Sequence, residues 1–304
     1  MLDTTEQFDR AAYNRQLLRA NKVCDPSEYN FKYDWKNLMT EDGIPISSNM
    51  GRSLIRTDTG QALGIHKSKY VPVSHEKVVD TVMDTVEKLK CGTTYTKIEV
   101  FEDGKKLRGQ VYFDDVSIEP AVGDIIGYTL DFRNSYDGTW KLQLSGEGKR
   151  MWCLNTMTHG IKLSDNCIKH TISANVEGTS EKLKRAMSLF HESENVYKQM
   201  IESKQSKKEA QELLERYLCR MPTKSGNPKT NDVQLEIVSR QLEDERKVLG
   251  GNKWATYNTA THWATHTPKG DNDRKRNESI VGRLNDAATR HPKVEQLKDA
   301  LIYA

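Results

Sequence analysis

Long apolar runs are missing from this chain. No stretch approaches the roughly 18 apolar residues that cross a bilayer as a helix. The opening MLDTTEQFDR has no basic segment followed by an apolar one, so neither a membrane span nor a secretory leader is expected. Cysteine is sparse: Cys24, Cys91, Cys153, Cys167 and Cys219 are odd in number, far apart and without a CxxC. That pattern fits free thiols in a reducing cytoplasm better than a disulfide framework or a cysteine zinc site. Absent too are GxxxxGK[ST], GxGxxG after a strand, and GxSxG, which leaves ATP folds, dinucleotide folds and serine-nucleophile chemistry unsupported. Carboxylates are plentiful but not grouped as a magnesium-holding nuclease needs; Asp114, Asp115 and Glu119 come nearest and read as a polar loop. No cofactor and no enzymatic activity are expected. Charge of one sign is lacking as well: 46 basic and 43 acidic residues leave a net +3, so only clustering of the cations would point to nucleic acid. The length of 304 residues is enough for one large domain or two small ones.

What is present is organised around residues 124–157. Ile126, Tyr128, Leu130 and Phe132 alternate with Ile125, Thr129 and Asp131, the period of a strand with one buried face. Asn134-Ser-Tyr-Asp-Gly138 supplies turn chemistry. Trp140, Leu142 and Leu144 resume the alternation; after Gly146-Glu-Gly148, a third strand is expected through Arg150, Trp152 and Leu154. The result reads as a β-meander with one apolar face and one face carrying Arg133, Lys141, Lys149 and Arg150.

The pieces NSYDGTWKLQL, KRMWCLNTM and IKHT resemble the "NSHDGS … RVVCxNT … RHT" pattern of a phage- and plasmid-borne family catalogued as domain of unknown function 932. LGIHKSKYVPVSHE resembles that family's "LGxxxxxYxxVxNxE" opening, and NKWATYNTATHWATH its "WxxYNAxTExxxH" element. The resemblance implies a phage setting and an α+β fold, but no settled activity.

Along the chain, residues 1–50 read as an N-terminal arm, with a short helix over Phe8–Ala20. A core domain is expected over 51–221. Ser74 is placed to cap a helix whose apolar face is Val78, Val79, Val82, Met83, Val86 and Leu89. A hairpin turning at Asp103-Gly104 follows, then the meander, then a long helix from about Glu181 to Lys204 and another through Leu218. PTKSGNPKTND, 222–232, has the composition of a linker, and 233–304 reads as a helical C-terminal region. The fold class expected is α+β: an antiparallel hairpin and meander sheet flanked by an N-terminal helix and a long C-terminal helix. That element order is similar to the core of the phage single-strand annealing proteins of the Red-beta, Erf and RecT types.

The candidate nucleic-acid residues are Arg133, Tyr136, Trp140, Lys141, Lys149 and Arg150 on the meander, joined by Lys169, His170, Lys182, Lys184 and Arg185 beyond it. Phosphates need cations along a groove, and unstacked bases need aromatic platforms. The bland alternative is a solvated sheet face with its aromatics in the core. Asn134, Asp137 and Gly138 build a turn unaided; the family pattern has His where this chain has Tyr136, which argues against a histidine-dependent role there. His262 and His266 have the i, i+4 spacing of zinc ligands, but HWATH lacks the glutamate of a zincin and no third ligand is evident, so packing is the default and no metal is expected. Cys167 near His170 reads as coincidence.

Two functional expectations follow. The first is a phage- or plasmid-encoded protein that binds single-stranded DNA in the host cytoplasm and assists strand annealing without ATP, as a homo-oligomeric ring or filament. The alternative is an accessory protein that binds a host protein, since a long charged helix is usually just a solvated surface.

Overall fold

The computed structural model describes residues 10–151, 156–158, 179–221, 226–266 and 292–303. The protein is α+β. Its main sheet holds β1 (Lys22–Val23), β5 (Thr94–Phe101), β6 (Lys106–Ile118), β7 (Ile126–Ser135), β8 (Gln143–Arg150) and β9 (Thr156–Thr158), in the order β1-β5-β6-β7-β8-β9. A second sheet joins β2 (Tyr33–Asn37), β3 (Arg52–Arg56) and β4 (Ala62–His66).

The expected hairpin turn forms at Asp103-Gly104. Glu102, Asp103 and Gly104 take φ of 53°, 55° and 95°, the left-handed region that Asp and Gly tolerate. Two expectations for the sheet need correcting. It is mixed rather than purely antiparallel, because β1 adds in parallel along β5, pairing Lys22 with Lys97 and Val23 with Ile98. Gly146-Glu147-Gly148 is not a turn but the middle of β8, pairing with Leu130, Thr129 and Tyr128 of β7. The expected Trp140–Leu144 strand is displaced to this one, and Arg150 ends it; Trp152 and Leu154 of the expected third strand lie outside the described residues. The glycine serves the core here, not a turn: a Cβ on Gly146 would overlap the Tyr128 hydroxyl, and one on Gly109 would enter the Phe132 ring. Large rings lie flat across neighbouring strands only where those strands carry no side chain.

Helix α2 (His75–Leu89) starts where expected, with the Ser74 side chain accepting from the Lys77 N–H. It ends at Lys90, which takes the left-handed φ of 51°. Val78, Val79, Val82 and Val86 are buried in the same core as Ile98, Leu107, Val111, Phe113, Tyr128, Leu130 and Phe132. Helix α3 (Thr179–Glu202) adds Met187, Phe190, Tyr197 and Met200 to it.

After α4 (Lys207–Leu214) and a π-helical turn over Glu215–Cys219, β10 (Arg220–Met221) pairs with β11 (Lys229–Thr230) across the segment expected to be a linker. Helices α5 (Asp232–Leu249), α6 (Lys253–His266) and α7 (Pro292–Tyr303) then return to the core: Val238, Leu242, Trp254, Tyr257, Val294, Leu297 and Leu301 share the cluster that includes the sheet. Apolar burial is therefore continuous from α2 to α7. The N-terminal arm also docks. On α1 (Arg10–Leu18), Asn14 donates to the Met151 carbonyl at 2.7 Å and Leu18 packs with Tyr112 and Met151. Just beyond it, Arg19 grips Asp114 with two hydrogen bonds of 2.8 and 2.9 Å. Among the described residues, no helix is long and apolar enough to cross a membrane.

Candidate functional site

Alternation along β5–β8 divides the main sheet into two unlike faces. One is the apolar core face. The other carries Lys97 and Glu99 on β5, Arg108 and Gln110 on β6, Thr129, Asp131 and Arg133 on β7, and Gln143, Ser145, Glu147 and Lys149 on β8. Cross-strand register sets these side by side: Glu99–Arg108–Arg133–Gln143 form one row, and Lys97–Gln110–Asp131–Ser145 the next. This polar face is enclosed over much of its extent: Arg108, Gln110, Asp131, Gln143, Ser145, Glu147 and Lys149 are all buried.

Burying so many charges is costly unless each is paired and hydrogen-bonded. The carboxylates have neutral partners. Asp131 accepts from Gln110 Nε2 at 2.8 Å and from the Thr129 hydroxyl at 3.1 Å, and Glu147 accepts from the Ser145 hydroxyl at 3.3 Å. The cations fare less well. Lys149 Nζ stands 4.0 Å from Asp131, too far for a hydrogen bond. Among the described residues, buried Arg108 Nη2, Arg133 Nε and Lys149 Nζ have no hydrogen-bond partner. Burial pulls the Arg108 guanidinium below its ordinary pKa, against the opposing pull of Asp131 and Glu147. Lys97 is lowered likewise by burial, then by Lys149, although its Nζ donates to the Leu17 carbonyl at 2.7 Å.

The candidates proposed from sequence are scattered by this geometry. Lys149 and Arg150 do not form a solvated basic face. They are adjacent residues of one strand, so they point to opposite sides of the sheet, and both are buried, at 0% and 1% exposure. Arg150 lies on the helix-covered side, where its Nε meets Asp124 at 2.5 Å and its Nη1 meets Glu245 of α5 at 2.9 Å. The other Asp124 oxygen accepts from the Trp254 indole at 2.7 Å. Tyr136 is not an open stacking platform either: its ring is buried with Leu54 and Leu63 against Phe31, Tyr33 and Trp35.

Trp140 remains half-buried, with Lys106 Nζ 5.5 Å and the Arg133 guanidinium 6.0 Å from its ring centroid, and Lys141 is exposed beside it. Lys184 and Arg185 are exposed on α3, Lys184 paired with Glu181 at 3.0 Å. Lys182 lies on the same helix, its side chain outside the described residues, as are Lys169 and His170 altogether.

The NSYDG stretch is a turn, and more. Asp137 accepts from the Thr139 backbone at 2.8 Å, and Gly138 takes a φ of 75°. Asn134 reaches back to donate to the Val73 carbonyl at 2.8 Å and contacts His75 Nδ1 at 2.9 Å, while the Tyr136 hydroxyl accepts from the His75 N–H at 3.0 Å. The turn thus grips the N-terminus of α2. His66 stacks on Tyr70 at 3.6 Å and its Nε2 meets the Tyr136 carbonyl at 2.6 Å. Neither His66 nor His75 stands out in the sequence, because their partners lie about 60 to 70 residues away. His262 is half-buried on α6 among buried Trp254, Tyr257, Ala260 and Trp263; the His266 side chain is outside the described residues. No group of three or more His, Cys, Asp or Glu able to hold a metal is found among the described residues. Cys24, Cys91 and Cys219 are free thiols there; Cys153 and Cys167 lie outside them.

The polar sheet face itself was missed as an enclosed constellation. Its signal was present in the alternation of charged residues opposite the apolar ones, but alternation does not say whether such a face meets water. Comparison with known families adds one finding: the family described as a domain of unknown function (DUF932) matches residues 62–293. No curated protein and no solved structure matches the chain.

Proposed function

The chain belongs to the DUF932 family, and from that premise we propose that it binds single-stranded DNA and assists strand annealing without ATP. The observation that carries the reading is the cation–aromatic group at the open end of the sheet. There Arg133 and Lys106 both lie over the Trp140 ring, Lys106 also paired with Glu102 and Asp137, and Lys141 is exposed alongside. A ring with cations beside it suits an unstacked base on its free face with the phosphate held nearby, and such stacking is worth roughly 1–3 kcal/mol per base. Recognition of this kind takes no account of base identity, which annealing requires. Annealing also needs many subunits on one strand, so a ring or filament of copies belongs to the same reading, in the cytoplasm of a phage host.

The test is fluorescence anisotropy of a labelled oligo-dT at low and moderate salt. Binding should weaken steeply with salt, as counterion release demands. Trp140→Ala combined with Lys141→Glu should weaken it by at least about tenfold without changing the circular dichroism. Absence of binding at low salt would end the proposal.

A second reading, recognition of a host protein, is favoured by a different observation. Met39, Ile44, Met50 and Ile65 are each more than 60% exposed on and beside the small sheet, and apolar groups of this sort mark a contact surface where they form one patch. A stoichiometric partner recovered from nuclease-treated host lysate, with no oligonucleotide binding, would favour it.

A further inference from the structure

The enclosed polar face holds an arrangement that the rest of the fold does not explain. Arg108 and Arg133 sit directly opposite each other on β6 and β7. Like charges directly across a strand pair repel and destabilise it. Burial makes this worse: Arg108 is only 8% exposed, and among the described residues neither Arg108 Nη2 nor Arg133 Nε has a hydrogen-bond partner. Lys149 Nζ, from the same face, also lacks one.

The nearby carboxylates offset these charges through space without capping every donor. Asp131 and Glu147 are held by Gln110, Thr129 and Ser145. Glu99, across from Arg108 in register, is turned to Lys22 Nζ at 3.4 Å and leaves its second oxygen without a hydrogen bond. A guanidinium presents planar N–H donors suited to an oxyanion, and two of them side by side suit a group with several acceptor oxygens.

We infer that the facing pair Arg108 and Arg133 is the seat of a phosphate group, taken either from a phosphomonoester such as a nucleotide or from the backbone of a strand. Gln143, the next residue in the same row, lies within the seat as a neutral polar neighbour. The inference shares Arg133 with the Trp140 group but does not require strand binding there, because a free phosphate ester satisfies the same donors.

The test is the melting temperature of the full chain with inorganic phosphate, with thymidine 5′-monophosphate and with oligo-dT, each separately against sodium chloride of equal ionic strength. A ligand that binds only the folded state raises the melting temperature in proportion to the logarithm of its concentration. A rise of about 1–3 °C over the chloride control, growing with the logarithm of ligand concentration, is expected for a chain of this size. Arg108→Gln and Arg133→Gln should each abolish the rise, and Arg240→Gln, on the exposed face of α5, should keep it. Should Arg108→Gln fail to fold, the half-buried Arg133→Gln decides alone.

A melting temperature equal to the chloride control overturns the inference. So does a rise that survives Arg133→Gln. A rise with the mononucleotide that oligo-dT does not reproduce assigns the seat to a free phosphate ester; a rise with both assigns it to strand backbone as well. Loss of oligo-dT affinity in Trp140→Ala with the phosphate rise intact separates this seat from the platform.

Discussion

Arg150 is held from two directions, by Asp124 at the start of its own strand pair and by Glu245 from a helix 95 residues on. Truncating it strands two buried carboxylates, so Arg150→Ala should lower the unfolding free energy by about 3–5 kcal/mol in a urea titration. A binding residue on a solvated face would leave stability nearly unchanged. The sequence could not separate these outcomes, because Lys149 and Arg150 read as one basic pair, and only the strand register sends them to opposite faces. Gly146 carries the same lesson. Its neighbour Gly148 made the pair look like a turn, yet the Tyr128 hydroxyl occupies the place of its Cβ. Gly146→Ala should cost about 1–3 kcal/mol by overpacking, and Tyr128→Phe should recover part of that loss. Since the Tyr128 hydroxyl is buried without a hydrogen bond, Tyr128→Phe alone should be neutral or mildly stabilising.

Among the elements, those with a plain period were legible: α2 from its valine stripe and Ser74 cap, the hairpin from Asp103-Gly104, β7 from its alternation, α3 from its helical spacing. The grip of the NSYDG turn on α2 was not, since it joins side chains about 60 residues apart that have no local signature. Asn134→Ala removes the donor to the Val73 carbonyl and leaves that group buried, so it should cost about 1–3 kcal/mol and slacken the start of α2, seen as faster amide exchange over its first turn.

His66, at the end of β4, ties the small sheet to the same turn. Burial lowers its pKa below the ordinary 6.5, outweighing the opposing effects of the Tyr136 carbonyl and Asp137. The folded state then binds a proton less readily than the unfolded one. The stability His66 contributes is thus complete above pH 6.5 and falls as the pH drops below it toward the folded value. Urea midpoints measured on either side should show this decline, and His66→Gln should flatten it.

At the scale of the whole molecule, composition marked 222–232 as a linker, and composition alone cannot report that the helices beyond it return to the sheet. Trp254, Tyr257, Val294, Leu297 and Leu301 join the cluster built on β6 and β7. A chain ending at Met221 exposes that surface and leaves Arg150 without Glu245. It should unfold without a cooperative transition and lose its near-ultraviolet dichroism, whereas a chain with an independent core domain over 51–221 would keep both.

The Arg150–Glu245 pair also sets an order of events at the ribosome. Synthesis at roughly 5–20 residues per second delivers Glu245 about 5–20 s after Arg150, given their separation of 95 residues. Throughout that interval Arg150 has Asp124 for a partner, and only the last third of the polypeptide can supply its second carboxylate. Full enclosure of Arg150 is therefore deferred until α5 has emerged, and the covered side of the sheet stays incomplete until then.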